Sequence, residues 1–232
     1  MKLVLFDIDG TLVLTGGAGG RAMGRAAADI FGFEHADKSI SMAGRTDAWI
    51  VAQMAAQQDM PFDDRVLARF HDAYIGHLED EIQRPGSQKG VLPGVEQTLK
   101  ALRGHDGAHL ALLTGNFRRG AQIKLEYFGL WEYFAAGAFG EDAQNRNALF
   151  QTALARVVAA GGPEVQASDA IVVGDTPLDV AVALAAGARA LAVATGPYDV
   201  ASLRASGAHA VLADLSDERA VLEALELLSG PA

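Results

Sequence analysis

Leu3-Val4-Leu5-Phe6-Asp7-Ile8-Asp9-Gly10-Thr11-Leu12 decides how this chain folds. Four apolar residues run without a break and stop at an aspartate, the pattern of a strand buried on both faces of a parallel sheet. Runs of the same character recur at His109–Thr114, Ala170–Gly174 and Arg189–Ala194, with Ala210–Leu212 as a weaker fifth. Between them lie stretches of helical length and period: Gly94–Leu102, Arg118–Phe128, Arg146–Val158, Leu178–Ala186, Val200–Ala205 and Asp217–Leu228. Strand alternating with helix implies right-handed crossovers and an α/β fold, a doubly wound parallel sheet covered on both faces.

One segment breaks that alternation. Residues 20–82 carry helical periodicities at Arg21–Phe31, Asp47–Gln58 and Asp63–Glu81 and no convincing strand. Glycines at 16, 17, 19 and 20 precede it, and Arg84-Pro85-Gly86-Ser87 through Pro93-Gly94 follow it, the composition of paired linkers. The expected organisation is a catalytic core of residues 1–15 and 89–232 with an all-helical cap inserted at 16–88. The glycine run lacks the Lys and Ser/Thr of a phosphate-cradling P-loop, so it reads as a hinge. Trp49, Phe70 and Tyr74 read as cap core, and the histidines, His35, His71 and His77 among them, as surface or packing residues.

Composition narrows the chemistry. The 232 residues include no cysteine, which excludes a thiol nucleophile, a disulfide framework and a zinc–thiolate site. The formal charge of -10 has no offsetting cluster of Lys and Arg, so nucleic acid is not an expected partner. The opening apolar run is too short for a signal peptide or a membrane span, and a cytoplasmic address is the expectation. A small anionic substrate fits an acidic protein once a metal ion reverses the local field.

In an open parallel sheet, ligands bind beyond the carboxyl ends of the strands. Three strands end there in polar signatures: Asp7-Ile8-Asp9-Gly10-Thr11, Thr114-Gly115-Asn116, and Gly174-Asp175-Thr176-Pro177-Leu178-Asp179. Asp7 and Asp9 are two apart, so on extended backbone both face one side, as a nucleophile and a proton donor flanking one phosphoryl group would. An ionised Asp7 can attack phosphorus, and Asp9 can protonate the leaving oxygen and later deprotonate water. Carboxylate and phosphate repel each other, so the reaction requires a cation. Asp7 and Asp175 offer the hard oxygens that Mg²⁺ prefers, with Asp179 one helical turn on as an orienting group. Thr114, Gly115 and Asn116 can donate hydroxyl and N–H hydrogen bonds to phosphate oxygens.

Asp7-Ile8-Asp9-Gly10-Thr11-Leu12 resembles the first motif of the haloacid dehalogenase-like hydrolase superfamily, and Thr114 and Gly174-Asp175 match its second and fourth motifs in order. The resemblance spans the whole chain and implies a Rossmann-like parallel-sheet core, with the insertion after the first strand as a helical cap over the site. It also implies a metal held by the side chains at Asp7 and Asp175 and by the backbone carbonyl at Asp9. The family's third motif is usually a Lys, and no Lys follows Lys124. Arg146 stands at its place, as in phosphoglycolate phosphatase-like members. Lys124 lies about eight residues past Thr114-Gly115-Asn116, roughly 12 Å along a helix leading away from the strand ends, and is the weaker candidate. Ala43-Gly44-Arg45-Thr46-Asp47 resembles the loop through which many relatives touch substrate, while Thr46-Asp47 equally reads as a helix N-cap.

The resemblance implies hydrolysis of a small phosphorylated metabolite, phosphoglycolate first because the cap type and the Arg146 region resemble that group, by a monomer or homodimer. A β-phosphoglucomutase-like phosphomutase would use the same two aspartates. Dehalogenation is disfavoured by Asp9, and phosphonate cleavage by Asp9 and by a cap whose one lysine is Lys38. A catalytically inactive binding protein would be expected to have lost Asp7, Asp9 or Asp175, and all three are present.

Overall fold

The computed structural model describes residues 1–32, 40–143 and 146–228; His35 and Lys38 lie outside them. Its centre is a six-stranded sheet of β1 (Lys2–Phe6), β4 (Ala108–Leu113), β5 (Gly137–Ala138), β6 (Ala170–Gly174), β7 (Arg189–Val193) and β8 (Ala210–Leu212). The order is β5-β4-β1-β6-β7-β8 and every pair is parallel. β1 is central, with Leu3 paired to His109 on one side and to Ala170 on the other. The chain steps from β1 to neighbours on both sides, so the crevice where the topology switches opens at the end of β1.

Alternation along β1 builds two cores. Val4 and Phe6 face α4 (Val95–Arg103), α5 (Arg118–Tyr127) and α9 (Glu218–Ala224), meeting Leu99, Leu125 and Val221. Leu3 and Leu5 face α6 (Arg146–Ala159), α7 (Pro177–Ala186) and α8 (Val200–Ala205), meeting Phe150, Val180 and Leu203. Four strand residues with no exposed face explain the unbroken apolar run.

A third core lies among α1 (Ala18–Phe31), α2 (Asp47–Ala56) and α3 (Asp64–Glu81), where Ala22, Met54, Phe70 and Tyr74 pack. It takes in Phe117 and Ile123, so the inserted helices are seated on the α5 side of the site. Among the described residues no helix is long and apolar enough to cross a membrane.

The strands and helices read from the sequence are present with ends shifted by a few residues. Two details differ. Gly19 and Gly20, read as hinge, form the first turn of α1, which starts after Gly16 and Gly17 at positive φ. The helix expected to reach Leu228 stops at Ala224, and Glu226 takes a positive φ with its carboxylate 2.9 Å from Lys2 Nζ. Two elements are additional: the edge strand β5, and a two-stranded antiparallel sheet of β2 (Val13–Leu14) with β3 (Gly90–Val91). Each is two residues long, too short to show a period. The small sheet ties together the segments by which the chain enters and leaves the helical insertion.

Glu81 fixes α1 against α3. Its carboxylate is 1% exposed and meets Arg21 (2.6 Å), Arg25 (3.1 Å) and Arg84 (2.8 Å). Three half-exposed guanidinium groups keep that buried charge neutralised, and together they hold the glycine end of α1 in place. Glu81→Ala is expected to lower the unfolding free energy by about 1–3 kcal/mol in urea titrations, with an unchanged slope.

Candidate active site

Asp7 leaves β1 with its N–H donated to Val173 O at 2.9 Å, so the first residue past the strand is still held in register with β6. Gly10 then turns the chain at φ +79, where Leu12 N–H returns to Ile8 O at 2.8 Å. A Cβ at Gly10 would collide with the Asp175 carboxylate, and one at Gly196 would collide with it from the β7 side. Asp175 is thus wedged between two backbones that only glycine lets so close.

Three carboxylates converge there. Asp7, Asp175 and Asp179 are buried, and each offers an oxygen within 4.8 Å of the others. Asp179 sits in the first turn of α7, whose capping box it closes: Thr176 Oγ1 and N–H donate to Asp179 Oδ2 at 2.7 and 3.0 Å. Thr11 donates to Asp175 Oδ1 at 3.1 Å. Arg146, at the start of α6, places Nη2 2.5 Å from Asp179 Oδ1 and 2.8 Å from Asp7 Oδ2, while Nη1 donates to Gly44 O at 2.7 Å.

The charge balance is visible in the titration of these groups. Burial, then the charges of Asp179 and Asp7, push the Asp175 carboxyl up to about 8. Burial also raises Asp179, to about 6, against the opposing charge of Arg146. Burial alone would lower Arg146, yet the carboxylates of Asp179 and Asp7 hold it above its ordinary value. One guanidinium against three carboxylates leaves net negative charge on a cluster of hard oxygens, and these residues fit a divalent cation of the Mg²⁺ kind.

The second strand end forms the other wall. Thr114 Oγ1 accepts from Asn116 N–H (3.3 Å) and Nδ2 (2.8 Å), and Asn116 Nδ2 also reaches Asp9 Oδ2 at 2.9 Å. Lys124, set aside on distance along its helix, belongs to this group: its Nζ lies 2.7 Å from Asp9 Oδ2 and 2.5 Å from Asn116 Oδ1. Helical side chains lean back toward the N-terminus, so a long one crosses two turns that a count of residues treats as lost.

Loop residues 42–47 close over the crevice. Asp47 N–H donates to Gly115 O at 2.7 Å, and Phe117 N–H donates to Asp47 Oδ2 at 2.7 Å. Gly115 lies directly beneath the Arg45 carbonyl, with no room for a Cβ. Thr46 accepts from Trp49 N–H at 3.2 Å and caps α2, while the Arg45 guanidinium stacks 4.4 Å above the Trp49 ring. Below the loop is a cavity of about 440 Å³. Asp7, Asp9, Gly115, Asn116, Arg45, Arg146 and Asp175 line it, together with Lys124, Asp47 and Tyr74; Thr46 and Thr114 do not. The sequence reading missed Thr195 and Gly196 as well, although they follow β7 just as the recognised motifs follow their strands. Thr195 Oγ1 donates to Gly10 O at 2.5 Å and locks the turn below Asp9.

A model of the haloacid dehalogenase-like hydrolase family matches residues 1–187. A phosphoglycolate phosphatase from Cereibacter sphaeroides is 30% identical over 191 residues, 82% of this chain and 83% of that protein. Among solved structures, a hydrolase from Pseudomonas syringae superposes with a TM-score of 0.70 at 21% identity, covering 99% of this chain and 100% of that one. CbbY from Rhodobacter sphaeroides, in complex with xylulose-(1,5)-bisphosphate, superposes with a TM-score of 0.73 at 18% identity, covering 94% and 96%.

Asp47 gives a measurable signature. Burial pushes its carboxyl from 3.8 up to about 7, a shift that the Lys124 charge and the Phe117 N–H only partly offset. The folded state therefore holds a proton the unfolded chain has released, and this group's contribution to stability falls as pH rises between about 4 and 7. Asp47→Asn removes that dependence. In urea unfolding without metal, the variant is expected to gain on the wild type between about pH 5 and about pH 8; a pH-independent difference would refute the buried-acid assignment.

Proposed function

Because the chain belongs to the haloacid dehalogenase-like hydrolase family and is a phosphoric monoester hydrolase by its likeness to phosphoglycolate phosphatase, we propose that it hydrolyses a small phosphate monoester through an aspartyl-phosphate on Asp7. Phosphoglycolate is the first substrate to try. The observation that carries the proposal is the setting of Asp7: buried, ion-paired through Oδ2 to Arg146, and facing a cavity it shares with Asp9 and Asp175.

Among the described residues no donor reaches Asp7 Oδ1, and that oxygen is the nucleophile. Its lone pair forms the O–P bond while the bond from phosphorus to the leaving oxygen breaks, and Asp9 delivers its proton to that oxygen. In the second half a water oxygen attacks phosphorus and Asp9 takes its proton. The bond from phosphorus to Asp7 breaks and the carboxylate is restored. Arg146 holds Asp7 throughout and offsets charge at the phosphoryl oxygens. On the opposite wall Thr114 anchors Asn116, whose amide donates to Asp9 beside the phosphate. Asp7, Asp175 and the Asp9 carbonyl would hold Mg²⁺, which supplies positive charge against the phosphoryl oxygens, and Asp179 would steady Arg146 beside them.

Residues 16–88 are read as a cap over a core of 1–15 and 89–232, with Arg45 and the 42–47 loop contributing substrate contacts. The same reading places the enzyme in the cytoplasm as a monomer or homodimer. A phosphomutase is the second reading. It is supported by the hydrogen bonds that hold loop 42–47 down on Gly115, Phe117 and Arg146, since a transferring enzyme must keep water from the aspartyl-phosphate.

Phosphate release from a panel of phosphoglycolate, other alkyl phosphates and hexose phosphates decides between them. Release is expected with Mg²⁺ and not with EDTA, and Asp7→Asn should lower kcat by about a thousandfold or more. Arg146→Ala is expected to cost about a hundredfold, with part restored by Lys at the same position. Phosphate moved within a hexose without net release would replace hydrolysis by the mutase reading.

A further inference from the structure

Lys124 has no part in the chemistry described so far, yet its ammonium is buried in the wall of the catalytic cavity, its side chain 5% exposed. A buried ammonium is costly unless its protons find acceptors. It has two, Asp9 Oδ2 at 2.7 Å and Asn116 Oδ1 at 2.5 Å. Asn116 in turn spends its own amide protons on Asp9 Oδ2 and on Thr114 Oγ1, at 2.9 and 2.8 Å. The three side chains form a closed triangle anchored at a strand end. Gly19, in the first turn of α1, roofs the ammonium: a Cβ there would lie 3.3 Å from Nζ.

Both donors converge on the same oxygen of Asp9, and among the described residues nothing donates to Oδ1. Asp9 is itself poorly restrained otherwise, with 43% of its side chain exposed. We propose that Lys124 is a positioning residue: with Asn116 it ties down Asp9 Oδ2, so that Oδ1 is the oxygen presented to the leaving group. This inference rests on the acid–base role proposed for Asp9. It assigns no proton transfer to Lys124 itself; the proton still passes from Asp9 to the leaving oxygen as the P–O bond breaks.

A group that places the acid matters in proportion to the need for an acid. Alkyl phosphates release a poor leaving group and require protonation; 4-nitrophenyl phosphate releases a stable phenolate and hardly does. With saturating Mg²⁺, Lys124→Met is expected to lower kcat for phosphoglycolate by about a hundredfold and for 4-nitrophenyl phosphate by less than about tenfold, with little change in KM. Added to Asp9→Asn, the same substitution should cost nothing further, because it acts through a group already removed. Asn116→Ala removes the other donor to Oδ2 and should show the same leaving-group pattern, so the proposal is still tested if Lys124→Met fails to fold. Equal losses on both esters, a loss confined to KM, or losses that multiply in the double variant would overturn the positioning role while leaving the phosphatase intact. A wild type that releases phosphate from neither ester would overturn the proposed function and this inference with it.

Discussion

Three buried carboxylates within 4.8 Å of one another are the constraint on which the rest of this structure depends. Like charges at that separation, shielded from water, destabilise the fold unless cations and hydrogen bonds answer them. The surroundings supply part of the answer. α7 begins at the cluster, so its positive end and its capping box serve Asp179; Thr11 serves Asp175; Arg146 serves Asp7 and Asp179 together. What is left over is negative charge on hard oxygens beside a cavity, a cost to stability that a divalent cation bound there would relieve. Sites of this kind trade stability for function by construction.

An arginine at 146 connects more than a lysine there would. A lysine could answer the carboxylates as a point charge. The guanidinium fork does so with Nη2 and still has Nη1 to give to the Gly44 carbonyl in the loop above. Asp7, the start of α7 and the loop over the cavity therefore share one planar group. Asp47 reinforces the same seam from the other side, where its carboxylate accepts the N–H of Phe117 at the start of α5. The loop is joined to the core at two points, through Arg146 beside Asp7 and through Phe117 at the start of α5.

The opposite wall follows another logic. There the Asp9 carboxylate is half exposed, and it is held by a lysine and an asparagine fixed by their own mutual hydrogen bond. One wall holds charge by burial, the other holds direction by hydrogen bonding, and a ligand between them would meet Asp7 and Asp9 restrained by independent means.

Much of this was legible in the residues themselves. Strands buried on both faces must be largely apolar, so Leu3–Phe6, Ala170–Gly174 and Arg189–Ala194 declared themselves as a parallel sheet, and the polar residues just past their ends pointed to the crevice. The fold class and the grouping of Asp7, Asp9, Asp175 and Asp179 follow from that rule, because topology brings strand ends together whatever the loops do, whereas Arg146 was placed by its likeness to the family's third motif. Elements of two residues, β2, β3 and β5, have no period to read. Nor does spacing encode where a long side chain goes. Lys124 was eight residues from its motif and pointed back along its helix; Thr46 turned to cap α2, and Asp47 crossed to α5. Those choices depend on which acceptors and donors a neighbouring element leaves unsatisfied, and that is settled only when the inserted helices pack against the sheet's end.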